Sequence, residues 1–112
     1  LNSENWVVAG DFNSSVTFDY LWKGGPRGNQ EIIDRMNALG LIECLKSSTG
    51  NLTPTFRNPK GGKIIHQIDH MYVSNALHLS LSKSYAGNDL MIFEKSMSDH
   101  LPIISDFHLK EM

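Results

Sequence analysis

A single cysteine, Cys44, rules out an internal disulfide in this 112-residue chain, so packing and hydrogen bonds must hold the fold. Four prolines and nine glycines are too few and too scattered for a linker or a low-complexity tract. No apolar run approaches the ~20 residues needed to cross a bilayer. The start, Leu1-Asn2-Ser3-Glu4-Asn5-Trp6, lacks the basic and apolar regions of a signal peptide. Excess positive charge is missing too: 10 Lys and Arg stand against 12 Asp and Glu, a net charge of −2. That excludes proteins that hold nucleic acid by a global basic field, though a local patch can still steer one. One reduced thiol and no membrane segment lead us to expect a cytoplasmic protein without membrane insertion. There is no initiator methionine, and apolar residues begin within a few positions of Leu1, so we expect a chain cut from something longer.

With 40% hydrophobic and 20% charged residues, 1–112 is read as part of one domain with a real core. Trp6-Val7-Val8-Ala9 reads as a central strand buried on both faces. From Asn13 to Gly28 the chain is polar and rich in turn formers, an irregular loop with one helical turn near Tyr20 to Trp22. Asn29 is placed to N-cap a helix through Leu39, with Ile32, Ile33, Met36 and Leu39 on one face and Gly40 just beyond its end. Leu41 to Leu45 reads as a strand carrying a buried Cys44, and Ser47 to Leu52 as loop. A hairpin follows: an extended piece Thr53 to Arg57, a turn Asn58 to Lys63 and a strand Ile64 to Val73. Strands are expected again within Ala76 to Ala86 and from Pro102 to Leu109. The sum is an α+β chain with one main helix.

Three short strings carry the chemistry: Gly10-Asp11-Phe12-Asn13, Gln67-Ile68-Asp69-His70 and Ser98-Asp99-His100-Leu101-Pro102. Each sets a carboxylate at or within a predicted strand or just before one. Three acids, an amide and an imidazole on one site suit metal-assisted attack of water on phosphorus. Asp11 can accept a proton from water or hold a metal, and Asn13 can donate to a phosphate oxygen, although Asp-x-Asn is equally the pattern of an Asx turn. Asp69 in an apolar strand needs a partner. His100 would make it a dyad, and Arg57 is the rival. His66 and His70 lie about 13 Å apart along an extended strand, too far to share a metal. Arg57, Lys60 and Lys63 cluster at the hairpin turn and read as a solvated turn before a phosphate contact. Trp6, Trp22 and Phe56 suit either core or substrate stacking.

Together with Thr55-Phe56, these strings resemble the second half of the endonuclease/exonuclease/phosphatase superfamily, the fold of DNase I and exonuclease III. The resemblance implies half of a four-layered αββα sandwich with a mostly antiparallel or mixed sheet. It implies a hydrolase of phosphodiesters or phosphomonoesters dependent on Mg²⁺ or Mn²⁺, with nucleic acid as the leading substrate. A phosphatase or phosphodiesterase for inositol lipids or small molecules, and a non-catalytic binding module, are the alternatives. By position, Asp11 activates water, Asn13 binds the scissile phosphate, and Asp69 pairs with His100. Asp99 and Asp11 hold metal, His100 stabilises charge on the phosphate or moves a proton, and Thr55 supports from behind. His70 stands where the family usually has tyrosine. The family's first half, with its asparagine and metal-binding glutamate, is not among these residues. We therefore expect little activity from the 112 residues alone, the N-terminal half of the domain as partner, and a tendency to dimerise through an exposed sheet face.

Overall fold

The strand with the most buried residues is Asp69–Ser74 (β3), and the rest of the first sheet is laid against it. Its sequence Asp-His-Met-Tyr-Val-Ser mixes β-branched and aromatic residues suited to a pleated interior. Tyr72, Val73 and Ser74 are almost wholly buried. This computed structural model describes residues 4–21 and 28–109. The turn formers at 23–27, and Trp22, lie outside the described residues.

In chain order the elements are β1 (Val7–Asp11), α1 (Val16–Leu21), α2 (Asn29–Ala38), β2 (Leu41–Glu43), α3 (Cys44–Thr49), β3, α4 (Asn75–His78), β4 (Leu81–Ala86), α5 (Asp89–Glu94) and β5 (Ile103–Phe107). β3 is the middle strand, antiparallel to β1 on one side and β2 on the other. β4 and β5 form a separate antiparallel pair, stitched by the Ser84 and Ser105 hydroxyls at 2.8 Å. Cys44, Val73 and Leu77 make the innermost cluster, with Met71, Leu81 and Phe107 against it. Asp69, Met71 and Val73 therefore share the face of β3 turned to the second sheet, while His70, Tyr72 and Ser74 share the other. Among the described residues no helix is long and apolar enough to cross a membrane.

Several expectations need correcting. β1 is not buried on both faces: all five of its residues are exposed, and among the described residues it is an edge strand paired with β3. The strand expected over Leu41 to Leu45 stops at Glu43, whose carboxylate accepts the Lys46 N–H and caps α3. The first half of the loop expected over Ser47 to Leu52 is thus helix, and Cys44 is buried at a helix start. The strand expected from Ile64 begins only at Asp69, the stretch before it being tied to Phe56 by a single isolated bridge at His66. The strand expected within Ala76 to Ala86 is there as β4, preceded by the unanticipated α4. Helix α1 starts earlier than the helical turn expected near Tyr20 to Trp22, and α5, capped by the Asn88 side chain on the Met91 N–H, was not anticipated.

Helix α2 spans the expected residues, and Gly40 closes it at φ 80°, a left-handed backbone that glycine adopts without strain. Its N-cap, however, is Gly28 rather than Asn29. The buried Asp19 takes over the capping role from α1, accepting the backbone N–H groups of Asn29 (3.2 Å) and Gln30 (2.8 Å). That frees Asn29 to reach the β1–α1 loop.

Candidate active site

The antiparallel register of β1 and β3 sets Asp11 directly opposite Asp69. Like charges facing each other across a strand pair destabilise it, so something positive belongs between them. The loop entering β5 supplies it: His100 Nδ1 lies 2.9 Å from Asp69 Oδ2 and 3.1 Å from Oδ1, while Nε2 lies 3.9 Å from Asp11 Oδ2 and 3.8 Å from Asp99 Oδ1. Behind Asp69, the wholly buried Thr55 hydroxyl donates to Oδ2 at 2.8 Å. A relay Thr55–Asp69–His100 results, closed at its inner end and open at Nε2.

Charge follows from this geometry. The hydrogen bond to Asp69 foremost, with the charges of Asp69, Asp99 and Asp11, raises the His100 pKa above its ordinary value, against a smaller opposing effect of burial. The ring is also braced by Phe56, whose centroid is 5.1 Å away and whose backbone bridges His100. The Arg57 N–H donates to the Asp99 carbonyl and the Leu101 N–H to the Thr55 carbonyl, fastening the loop to the hairpin.

Asp11 forms the Asx turn considered for it and keeps its second oxygen on the side of His100. Its Oδ1 accepts the Asn13 N–H at 2.8 Å. Asn13 sits exposed at φ 50°, a left-handed conformation that asparagine tolerates. Asp11, Asp69, Asp99 and His100 are thus gathered, with Thr55 behind and Asn13 on the adjoining loop. Arg57 is not the partner of Asp69: its guanidinium lies over Phe93, 5.2 Å from the ring centroid. His66 and His70 stay apart from the acids, each with its own hydrogen-bond partners.

The donor set suits a hard divalent cation, which takes one or two carboxylates and completes its shell with water and phosphate oxygens. Among the described residues Asp11, Asp69 and His100 place ligand atoms within 4.8 Å of one another. Two of those groups are committed, since Asp69 receives Thr55 and His100. Asp11 Oδ2 and the Asp99 carboxylate, both about half exposed, are the freer oxygens.

Sequence reasoning missed the layer beneath. Gln67, almost wholly buried, receives the Thr53 N–H on Oε1 and donates through Nε2 to Glu43, the Asp69 carbonyl and His70. A polar residue just before an apolar one and two positions before an acid was the available signal.

Residues 1–100 match the endonuclease/exonuclease/phosphatase family. Two solved structures are similar over 94% of this chain and 46% of their own: the 3′ phosphatase NExo from Neisseria bound to a product DNA hairpin (22% identity, TM-score 0.78), and the 3′-5′ exonuclease NExo from Neisseria meningitidis (23% identity, TM-score 0.77). The chain spans about half the length of those proteins, and no curated protein matches it. The likeness shows the fold, α+β with antiparallel sheets as in DNase I, of which these residues make half of a four-layered αββα sandwich. The family match covers most of the sequence, and with it the chain belongs to the endonuclease/exonuclease/phosphatase family.

Proposed function

We propose that this chain carries the second half of the active site of a divalent-metal-dependent phosphoester hydrolase acting on nucleic acid. The observation that carries the reading is the Thr55–Asp69–His100 relay with its open Nε2 edge facing Asp11 and Asp99. Support for the substrate class comes from the likeness to a phosphatase bound to a DNA hairpin.

Thr55 and Asp69 fix the ring of His100 and favour its cationic form, so Nε2–H donates to a phosphoryl oxygen as negative charge builds there. Asp11 Oδ2 lies on the same side and accepts the proton of the attacking water. Asn13 donates its carboxamide N–H to a second phosphoryl oxygen without competing charge. Asp11 and Asp99 are the residues that would hold Mg²⁺ or Mn²⁺, which when bound neutralises charge on the scissile phosphate. The net charge of −2 favours a second reading, a phosphatase or phosphodiesterase for smaller substrates such as inositol phosphates.

The test is hydrolysis by the intact protein, with Mg²⁺ and with chelator, of DNA bearing a 3′ phosphate, supercoiled DNA, an RNA oligomer, an inositol phosphate and a chromogenic phosphodiester. Mg²⁺-dependent cleavage of a nucleic acid that is lost in Asp11→Ala is the expected result. Turnover of the inositol phosphate alone would replace the substrate class. Tight DNA binding without cleavage would make the protein a binding module.

A further inference from the structure

His70 stands on the face of β3 opposite the acids, buried, and takes no part in the chemistry above. Its Nε2 lies 2.8 Å from the Ser14 carbonyl oxygen, and its Nδ1 lies 3.3 Å from Gln67 Nε2. Which nitrogen bears the proton follows from the neighbours. Gln67 Oε1 faces the Thr53 backbone N–H at 3.0 Å, and Gln67 Nε2 faces the Glu43 carboxylate at 2.9 Å, so the amide has one orientation. The Ser14 carbonyl can only accept, which puts the proton on His70 Nε2, and Gln67 Nε2, a donor shared among Glu43, the Asp69 carbonyl and His70, faces the unprotonated Nδ1. The acceptor there is the carbonyl that directly follows Asn13.

The same loop is gripped from its other side. The Ser14 hydroxyl donates to Asn29 Oδ1 at 2.6 Å and the Ser15 N–H to the same oxygen at 3.2 Å, while Asp19 holds the Asn29 side chain through Nδ2 at 2.9 Å. Phe12, one residue after β1, packs edge-on to the His70 ring at 5.3 Å. Asn13 is left exposed in a left-handed conformation between these buried grips on either side of it.

We propose that His70 is a positioning residue: in its Nε2–H tautomer, it holds the Ser14 carbonyl and so sets where Asn13 meets the scissile phosphate. This rests on the phosphoester hydrolase reading for its kinetic consequence but not for its structural one. The hydrogen bond reaches from the centre of the sheet to the loop, so β3 aims both Asp69 and, through His70, Asn13. A misplacement of about 1 Å at a reacting group can cost ~100-fold in rate, and a loop released at one of its two grips falls short of that limit.

The experiment compares His70→Phe, which keeps the ring and loses the donor, with His70→Gln, which keeps an N–H donor, in the intact protein. Amide exchange is read at Asn13 and Ser15 and, as a reference, at Phe12, whose N–H bonds the Ile68 carbonyl. The expected result is faster exchange at Asn13 and Ser15 in His70→Phe, unchanged exchange at Phe12, and a kcat lowered about tenfold with KM little changed. His70→Gln should restore most of both. Gln67→Met, which removes the donor facing Nδ1, should move both readouts the same way by less, and it decides the matter if His70→Phe does not fold. Unchanged loop exchange in the donor-less variant, or equal kcat in the Phe and Gln variants, would overturn the proposal. A wild-type protein inactive on every substrate sinks the hydrolase reading instead, and the exchange data still decide what His70 does.

Discussion

Two histidines pair with Phe56, one through each of its backbone bridges, and their surroundings drive them in opposite directions. His66 lies under Phe18, whose ring centroid is 4.1 Å away, and its Nδ1 meets the Thr17 hydroxyl at 2.5 Å. Burial foremost, and then the Lys63 charge, lower its pKa from the ordinary 6.5. His100, on the other side, is held among three carboxylates and its pKa is raised. One residue type on one shared anchor is pushed toward its neutral form in the first case and toward its cationic form in the second. Neighbours within a few ångströms decide the role, and spacing along the chain does not.

The strongest way to break this contrast is to take the charge partner from His100. Asp69→Asn should lower kcat about a hundredfold while leaving the folded spectrum intact, and an NMR titration in chelator should show the His100 pKa moving back toward 6.5. Activity retained in that variant would remove the relay from the mechanism.

Removing the shared anchor comes next. Phe56→Ala should destabilise the protein by about 2 kcal/mol, less than a fully buried phenylalanine because the ring is half-buried, read by urea denaturation. If only one histidine pKa moved, the two bridges would be independent of each other.

Smaller, but opposite in sign, are the pH dependences. His100 binds its proton more tightly folded than unfolded, so its contribution is fully present below 6.5 and fades as pH rises through its raised value. His66 binds its proton less tightly folded, so its contribution is present above 6.5 and is lost as pH falls through its lowered value. In metal-free urea titrations, His66→Gln should flatten the acid side of the stability curve and His100→Gln the alkaline side. Slopes that changed on the same side would refute the contrast. Smallest of all, Cys44 should give almost no reaction with a thiol reagent in the native state. Burial, foremost, pushes its pKa to about 11. Rapid labelling would show that the core between the sheets opens under native conditions.

Much of the site was legible because its residues stand in short, chemically specific strings. Asp11, Asp69, Asp99 and His100 are gathered as their types and order implied, and Thr55 stands behind Asp69. Legible too were helix α2, with glycine at its end, and the Asn58 to Lys63 turn, closed by the Asn58 N–H on the Lys63 carbonyl. Two of the failures come from side chains that cap a helix. Glu43 turns an apolar β-like run into a helix by capping it, and Asn88 does the same for α5. Asn29 looked like a cap because its neighbours in sequence fit one. Its partners, Asp19 and the Ser14–Ser15 loop, are 10 to 15 residues away, beyond what local pattern reads. The exposure of β1 depends on what lies along its outer edge, which its own residues do not encode.

The pairing of Asp11 with Asp69 has a kinetic side. The two acids come from strands separated by roughly 60 residues of intervening chain, and a loop of that length closes late relative to helices and hairpins. Because the pleat repeats every two residues, a slip of one position between β1 and β3 would turn Asp11 to the opposite face. A newly made chain can therefore hold its helices and its hairpin and still lack the acid and imidazole cluster. The cluster of Asp11, Asp69 and His100 is complete only once that long-range pairing has formed in the correct register.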